Sequence, residues 1–213
     1  MPDCAREVMP TVLITGASRG LGLEFARQYA ELGWHVLSTC REPDRASALR
    51  ELSERHPSMC LHALDVTQDK SVRSLAEVLD GTTIDVLLNN AGIAGRIDRQ
   101  VLGALDYGVG HETMETNLFG PLRMAEAFLE HVAASAQRKI MTISSALGSI
   151  SSTTGGSFFY RCSKSAVNMA MASLARDVAQ RGVIVGVLSP GVVATDLTAD
   201  LDAQKITPQE SIS

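Results

Sequence analysis

The chain has 213 residues, 45% of them hydrophobic and 20% charged, enough for about one globular domain with its own core. A formal net charge of −5 argues against a broad basic face for nucleic acid. No stretch approaches the ~20 consecutive apolar residues of a membrane helix, and the polar start is not a signal peptide, so neither a nucleic-acid nor a membrane partner is expected. Short apolar runs then alternate with amphipathic ones. Residues 11–15 read as a strand. Residues 21–32 read as a helix, with Leu21, Phe25, Tyr29 and Leu32 at helical spacing and Gly33 as its stop. A strand at 35–39, a polar helix at 45–55, a strand at 60–65 and a helix at 69–79 follow. The strand at 84–88 leads into an irregular region, 91–110. A long helix at 113–134, a strand at 139–144, a second long helix at 158–180 and a strand at 183–188 complete the pattern.

Continuous apolar strands imply burial on both faces, as in a parallel sheet covered by helices. The expectation is a single doubly wound α/β domain, Rossmann-like, with six strands in order 3-2-1-4-5-6. The four cysteines, Cys4, Cys40, Cys60 and Cys162, show no paired spacing and read as free intracellular thiols. His56, His62 and His111 lack metal-ligand spacing and read as loop or surface residues, so no metal is expected. Trp34 reads as packing at the entrance of the second strand, and Met169 and Met171 as core or interface.

The segment Thr15-Gly16-Ala17-Ser18-Arg19-Gly20-Leu21-Gly22 lies between the first strand and first helix. Its glycines permit a tight turn and close approach of backbone to a pyrophosphate, and the helix N-terminus offers unpaired N–H groups. The spacing is G-x3-G-x-G rather than G-x-G-x-x-G. Tyr160 and Lys164 are four apart on a helix and so share a face. A free tyrosine, with a pKa near ~10, is a poor base at neutral pH. A neighbouring ammonium favours the phenolate, which can then exchange a proton with a carbonyl or alcohol oxygen. In isolation such a pair is most often a helix-surface accident. Behind a nucleotide loop it reads as an acid/base site.

On these residues the sequence resembles the short-chain dehydrogenase/reductase family over nearly the whole chain. Residues 15–22 match its T-G-x3-G-x-G, Asn89-Asn90-Ala91-Gly92 its N-N-A-G, and Pro190-Gly191 with Thr195 its P-G-x3-T. The stretch from Ile143 to Lys164 resembles the branch holding the C-factor signalling protein and the sniffer-type carbonyl reductases. The resemblance implies hydride transfer between a nicotinamide cofactor and a small-molecule carbonyl or alcohol, with Tyr160 as acid/base. It implies that Lys164 holds the nicotinamide ribose and tunes Tyr160, and that Asn117 supports a water relay to the lysine. A serine at the end of the fifth strand would hold the substrate oxygen. Ser145 is preferred and Ser144 is the alternative, since alternation sends the two side chains to opposite sides. Cofactor contacts are implied for Gly16, Ser18, Arg19, Gly20, Leu21, Gly22, Arg41, Asp65, Val66, Asn90, Ala91, Gly92, Tyr160, Lys164, Pro190, Gly191, Val193 and Thr195.

Thr39-Cys40-Arg41 carries no acidic residue where one would bind a free ribose 2′-hydroxyl. Arg41 and Arg19 suit a 2′-phosphate instead, which favours NADP(H) over NAD(H). The resemblance also implies a homodimer through the two long helices, while the unpaired cysteines and polar start lead to the expectation of a cytoplasmic protein. Members of the family usually continue past Thr195 through a substrate lid, a further helix and a seventh strand, ~30 residues of ordinary elements. Here Thr207-Pro208 reads as the start of a helix that is never completed, and the sixth strand as an exposed edge. That shortfall favours the competing reading, a nucleotide-binding regulatory protein with little turnover. A sugar-nucleotide epimerase on the same fold is weaker, since it would need a longer C-terminal part.

Overall fold

A computed structural model of the protein describes residues 9–195 and 204–212. Cys4 lies outside the described residues. Six parallel strands form one sheet in the order expected: β3 (Met59–Ala63), β2 (His35–Cys40), β1 (Thr11–Ile14), β4 (Val86–Asn89), β5 (Lys139–Ile143) and β6 (Ile184–Leu188). Val12 of β1 pairs with Val36 on one side and Val86 on the other, which fixes the central register.

Alternation divides the strand side chains between two cores. Leu13, Leu37, Leu87 and Ile140 point to one, which is covered by α3 (Asp69–Val78) and α5 (Gly120–Ala133). Met124, Phe128 and Val132 of α5 are spaced by one turn each and fully buried there, at about 1.5–3 kcal/mol of transfer free energy apiece. Val12, Ile14, Val36 and Leu88 point to the other core, covered by α1 (Gly20–Glu31) and α2 (Ser47–Arg55). α1 buries Gly22, Ala26 and Ala30, Phe25 and Tyr29 pack partly buried against the same core, and Leu32 is exposed. Small side chains at four-residue spacing let this helix lie close on the sheet beside the glycine loop.

Several boundaries differ from the sequence reading, each for a local reason. A short 3-10 turn at Pro43–Arg45 precedes α2, because proline starts it and Ala46 breaks the helical backbone. The region 91–110 is not wholly irregular. It contains a 3-10 turn at Ile97–Arg99, and α4 (Tyr107–Met114) already begins within it, capped by Asp106 Oδ1 on the Gly108 N–H at 2.9 Å. The long helix expected at 113–134 is two helices, α4 and α5, joined by a π-helical turn at Glu115–Phe119. The second long helix is α6 (Phe158–Asp177), followed by a 3-10 turn at Ala179–Arg181.

The helix start at Thr207 is followed by a helical turn after all, α7 (Pro208–Ile212). Thr207 and Glu210 cap one another: Glu210 N–H donates to Thr207 Oγ1 at 3.1 Å, and Thr207 N–H to Glu210 Oε2 at 2.7 Å. His62 is on β3 and partly buried, not a loop residue. Trp34 packs edge-on against Tyr29, with ring centres 4.7 Å apart. β6 closes one end of the sheet, with Ile184 57% exposed. Among the described residues no helix is long and apolar enough to cross a membrane, and no cluster of three His, Cys, Asp or Glu could hold a metal.

Candidate active site

Because all strands run the same way, the loops at their C-terminal ends share one edge of the sheet. The residues singled out in the sequence lie on those loops or on the helices that follow them. Gly16 has φ +69°, and a Cβ there would sit 2.9 Å from the Ala91 Cα. A Cβ on Gly22 would sit 2.2 Å from the Gly16 carbonyl oxygen and 2.5 Å from Asn90 Nδ2. Only glycine fits either position, and the closeness holds the first loop against the one after β4.

Polar bonds complete that junction. Thr15 Oγ1 accepts the N–H groups of both Asn90 and Ala91 at 3.0 Å. Asn90 Nδ2 donates back to the Thr15 carbonyl at 2.9 Å and the Gly16 carbonyl at 3.1 Å. Ala17 N–H donates to the Thr39 carbonyl at 2.8 Å, tying the loop to β2 as well. Thr15 was not among the contacts read from the sequence. Its signal was its place as the first residue of the T-G-x3-G-x-G match.

Ser18 and Arg19 lead into α1, and Gly20, Leu21 and Gly22 form its first turn. Arg19 stands at the N-cap in extended backbone, no side chain caps the helix, and no acidic residue occupies its first turn. A glycine cradle under unspent N–H groups at the positive end of a helix dipole fits the pyrophosphate of a dinucleotide. Arg41 is exposed directly after β2. Asp65 Oδ1 accepts the N–H and the hydroxyl of Thr67 at 2.9 and 2.7 Å, which fixes the loop after β3. The Val66 side chain is buried in the core against Gly120. Its carbonyl accepts Arg123 Nη1 at 3.4 Å.

The loop after β6 carries Pro190, Gly191, Val193 and Thr195. Val193 is buried and pairs with Ile206 in a short parallel bridge. Ser211 of α7 donates to the Pro190 carbonyl at 2.8 Å. The Thr195 methyl lies 3.2 Å from where a Gly20 Cβ would be, so this loop meets the glycine loop. An open cleft of about 340 Å³ lies between Arg19-Gly20 and Ala194-Thr195.

Asn117 sits at the centre of the π-helical turn, fully buried. Its Oδ1 accepts the Ile93 N–H at 2.9 Å, and its Nδ2 donates to the Ile93 carbonyl at 2.8 Å and to Ser163 Oγ at 3.0 Å. The side chain thus treats Ile93 as a ladder partner and holds the segment that follows Gly92. The next turn explains why the helix breaks here: Pro121 has no N–H to give.

Tyr160 and Lys164 are both buried on α6. Lys164 Nζ donates to the Ile143 carbonyl at 3.0 Å and lies 5.8 Å from the centre of the Tyr160 ring. Burial pushes the Lys164 ammonium down from 10.5 to about 8. Burial also raises the Tyr160 phenol above its ordinary value, only partly offset by the Ser145 hydroxyl, so the fold does not produce the lowering expected from a neighbouring ammonium. Ser145 Oγ accepts the Leu147 N–H at 3.2 Å as well. Ser144 turns the other way and donates to Asn168 Oδ1 at 2.6 Å. Of the two serines, the fold brings Ser145 to the phenol.

Comparison with known proteins agrees with this geometry. The family model for short chain dehydrogenases matches residues 10–206. A 1-hydroxy-2-glutathionyl-2-methyl-3-butene dehydrogenase from Rhodococcus sp. (strain AD45) is 34% identical over 208 residues, covering 95% of this chain and 87% of the relative. The NADPH-bound carbonyl reductase from chicken fatty liver superimposes with a TM-score of 0.88 at 33% identity, covering 96% of this chain and 88% of that one. The carbonyl reductase Sniffer of D. melanogaster does so with a TM-score of 0.85 at 31% identity, covering 96% and 88%. The chain therefore belongs to the short-chain dehydrogenase/reductase family, as an oxidoreductase of its carbonyl reductase-like branch with the family's Rossmann-like fold.

Proposed function

We propose that the protein interconverts carbonyl and alcohol groups with NADP(H), Tyr160 acting as acid and base. The observation that carries this reading is the buried phenol of Tyr160 beside Ser145, with the Lys164 ammonium 5.8 Å from its ring centre. When bound, the nicotinamide gives or takes the hydride, and the chain's own residues handle position and the proton. Ser145 holds the substrate oxygen beside Tyr160. Burial keeps the phenol protonated at neutral pH, the state that donates a proton to a carbonyl oxygen during reduction. Lys164 keeps positive charge near the phenol and reaches the nicotinamide ribose. Asn117 acts through position, fixing Ile93 beside the cofactor loop.

Arg41, exposed where an acidic residue would select NAD(H), supports NADP(H), and NADPH in the chicken carbonyl reductase is consistent with it. The test is NADPH oxidation across a panel of aldehydes and ketones, with Tyr160→Phe as the control and fluorescence titration of NADPH beside it. We expect turnover in the wild type and a fall of about 10²–10⁴-fold in the variant, with NADPH binding kept. Undiminished turnover by Tyr160→Phe would overturn the assignment. NADPH binding with no carbonyl reduced would favour a regulatory nucleotide-binding protein.

A further inference from the structure

We infer that Gln100 is a positioning residue for Tyr160, an inference that rests on Tyr160 being the acid/base. α6 has no cap of its own. Ser157, the residue before it, has φ 45° and ψ 44°, and its side chain caps nothing. The first-turn N–H groups of a helix need acceptors from elsewhere. Gln100, remote in sequence, supplies two. Its carbonyl accepts the Phe158 N–H at 3.0 Å, and its side-chain Oε1 accepts the N–H of Tyr160 itself at 2.7 Å.

The other end of the amide is also committed. Gln100 Nε2 donates to the Ala94 carbonyl at 2.7 Å and more weakly to the Arg96 carbonyl at 3.4 Å. An N–H faces the oxygen and carbonyls face the nitrogen, so the amide has one orientation that satisfies all of them. The residue is 0% exposed, and its own N–H is held by the Ile97 carbonyl at 3.0 Å. Ala94 follows Ile93, the residue Asn117 clamps through both main-chain groups. One buried amide therefore joins the segment after Asn90-Ala91-Gly92 to the backbone of the reactive tyrosine.

The NADPH loops do not depend on it. Thr15, Asn90 and Asn117 hold them through separate bonds. Loss of Gln100 should thus loosen the phenol's placement while leaving the cofactor cradle intact. A displacement of about 1 Å at a reacting group can cost up to about 10²-fold in rate.

The experiment uses Gln100→Met, which keeps length but removes both acceptor and donor, and Gln100→Glu. It measures kcat and KM on the aldehyde the wild type reduces fastest, NADPH Kd and binding stoichiometry. For Gln100→Met we expect kcat to fall about 10- to 100-fold, with NADPH Kd and stoichiometry within about twofold of wild type. Gln100→Glu places a carboxylate among the Ala94 and Arg96 carbonyls. Once protonated it matches glutamine, with a C=O for Tyr160 and an O–H for Ala94. Its kcat relative to wild type should therefore rise as pH falls from about 8 to about 6.

A Gln100→Met kcat equal to wild type overturns the inference. So does a kcat loss matched by equal loss of NADPH stoichiometry, which marks a purely structural role. If Gln100→Met does not fold, the Gln100→Glu profile decides, and a flat ratio across pH overturns the inference. Turnover by Tyr160→Phe would overturn both readings. An inactive Tyr160→Phe beside a full-speed Gln100→Met overturns this one alone.

Discussion

Replacing Lys164 by methionine removes a positive charge whose solvation the fold has taken away. Burial alone lowers its pKa from 10.5 to about 8, and its bond to the Ile143 carbonyl does not reverse that. The sign follows from linkage. The unfolded chain binds the lysine proton up to 10.5, whereas the native chain releases it above about 8. The ammonium therefore destabilises the native state at low pH, and the cost fades as pH rises through that window. At pH 7 the cost is about 3 kcal/mol, and by pH 9.5 it falls to about 1.4 kcal/mol. Methionine pays neither, though it loses the bond to Ile143, worth about 1 kcal/mol at any pH. Urea unfolding of the ligand-free protein at 25 °C isolates the effect. The stability of Lys164→Met minus that of wild type should fall by about 2 kcal/mol between pH 7 and pH 9.5. Tyr160 does not disturb the comparison, because burial holds its phenol above the ordinary value. A difference that is flat across this range would refute a depressed Lys164. It would also remove the reason for expecting the lysine's charge to vary over the assay range.

The Ser145→Ala variant should lose about 10- to 100-fold in kcat, while Ser144→Ala should lose about 1 kcal/mol of stability through its 2.6 Å bond to Asn168 and keep turnover. The opposite pattern in steady-state kinetics would assign the substrate oxygen to Ser144. In Gly22→Ala the new methyl would meet the Gly16 carbonyl at 2.2 Å, so the loop must open. NADPH affinity by fluorescence titration should fall at least about tenfold, about 1.4 kcal/mol, and an unchanged Kd would mean the cradle is not where the cofactor binds. Arg41→Glu should lower the ratio of kcat/KM for NADPH over NADH by about tenfold or more. A ratio that does not move would place 2′-phosphate recognition elsewhere.

The sheet order and the glycine loop were legible because each follows from a rule written into neighbouring residues. Apolar strands such as Val12-Leu13-Ile14, alternating with helices, call for a parallel sheet covered on both faces. Gly16 and Gly22 are glycine because backbone and Asn90 occupy the space of a side chain. The serine choice was legible as far as alternation reaches: Ser144 and Ser145 had to diverge, and the fold decides which meets the phenol. The break between α4 and α5 was harder to read. The apolar spacing of residues 113–134 continues through it, and Pro121, whose missing N–H interrupts the ladder there, fits the first turn of a helix equally well. The core-facing side of α1 was legible in part, since Phe25 and Tyr29 pack partly buried against the core. Periodicity weighs large residues most, whereas close packing on a sheet selects the small ones, Gly22, Ala26 and Ala30. Gln100 gave no signal at all, since a helix cap supplied from another segment has no fixed spacing.

These cases share a physical cause. The loops of the candidate site leave the sheet, so their main-chain groups lose the ladder partners that strands supply. Buried polar side chains replace those partners: Thr15 and Asn90 between the loops after β1 and β4, Asn117 at Ile93, and Gln100 at Ala94 and Tyr160. Each bonds to backbone rather than to another charge, so it fixes position without adding a field that would compete with Lys164. The Tyr160 phenol can then sit in a low-dielectric site, with its protonation governed by burial and by Ser145. Removing one such bridge leaves a donor or acceptor unsatisfied on both segments it joined. Its cost should therefore appear as lost alignment at Tyr160 as well as lost stability.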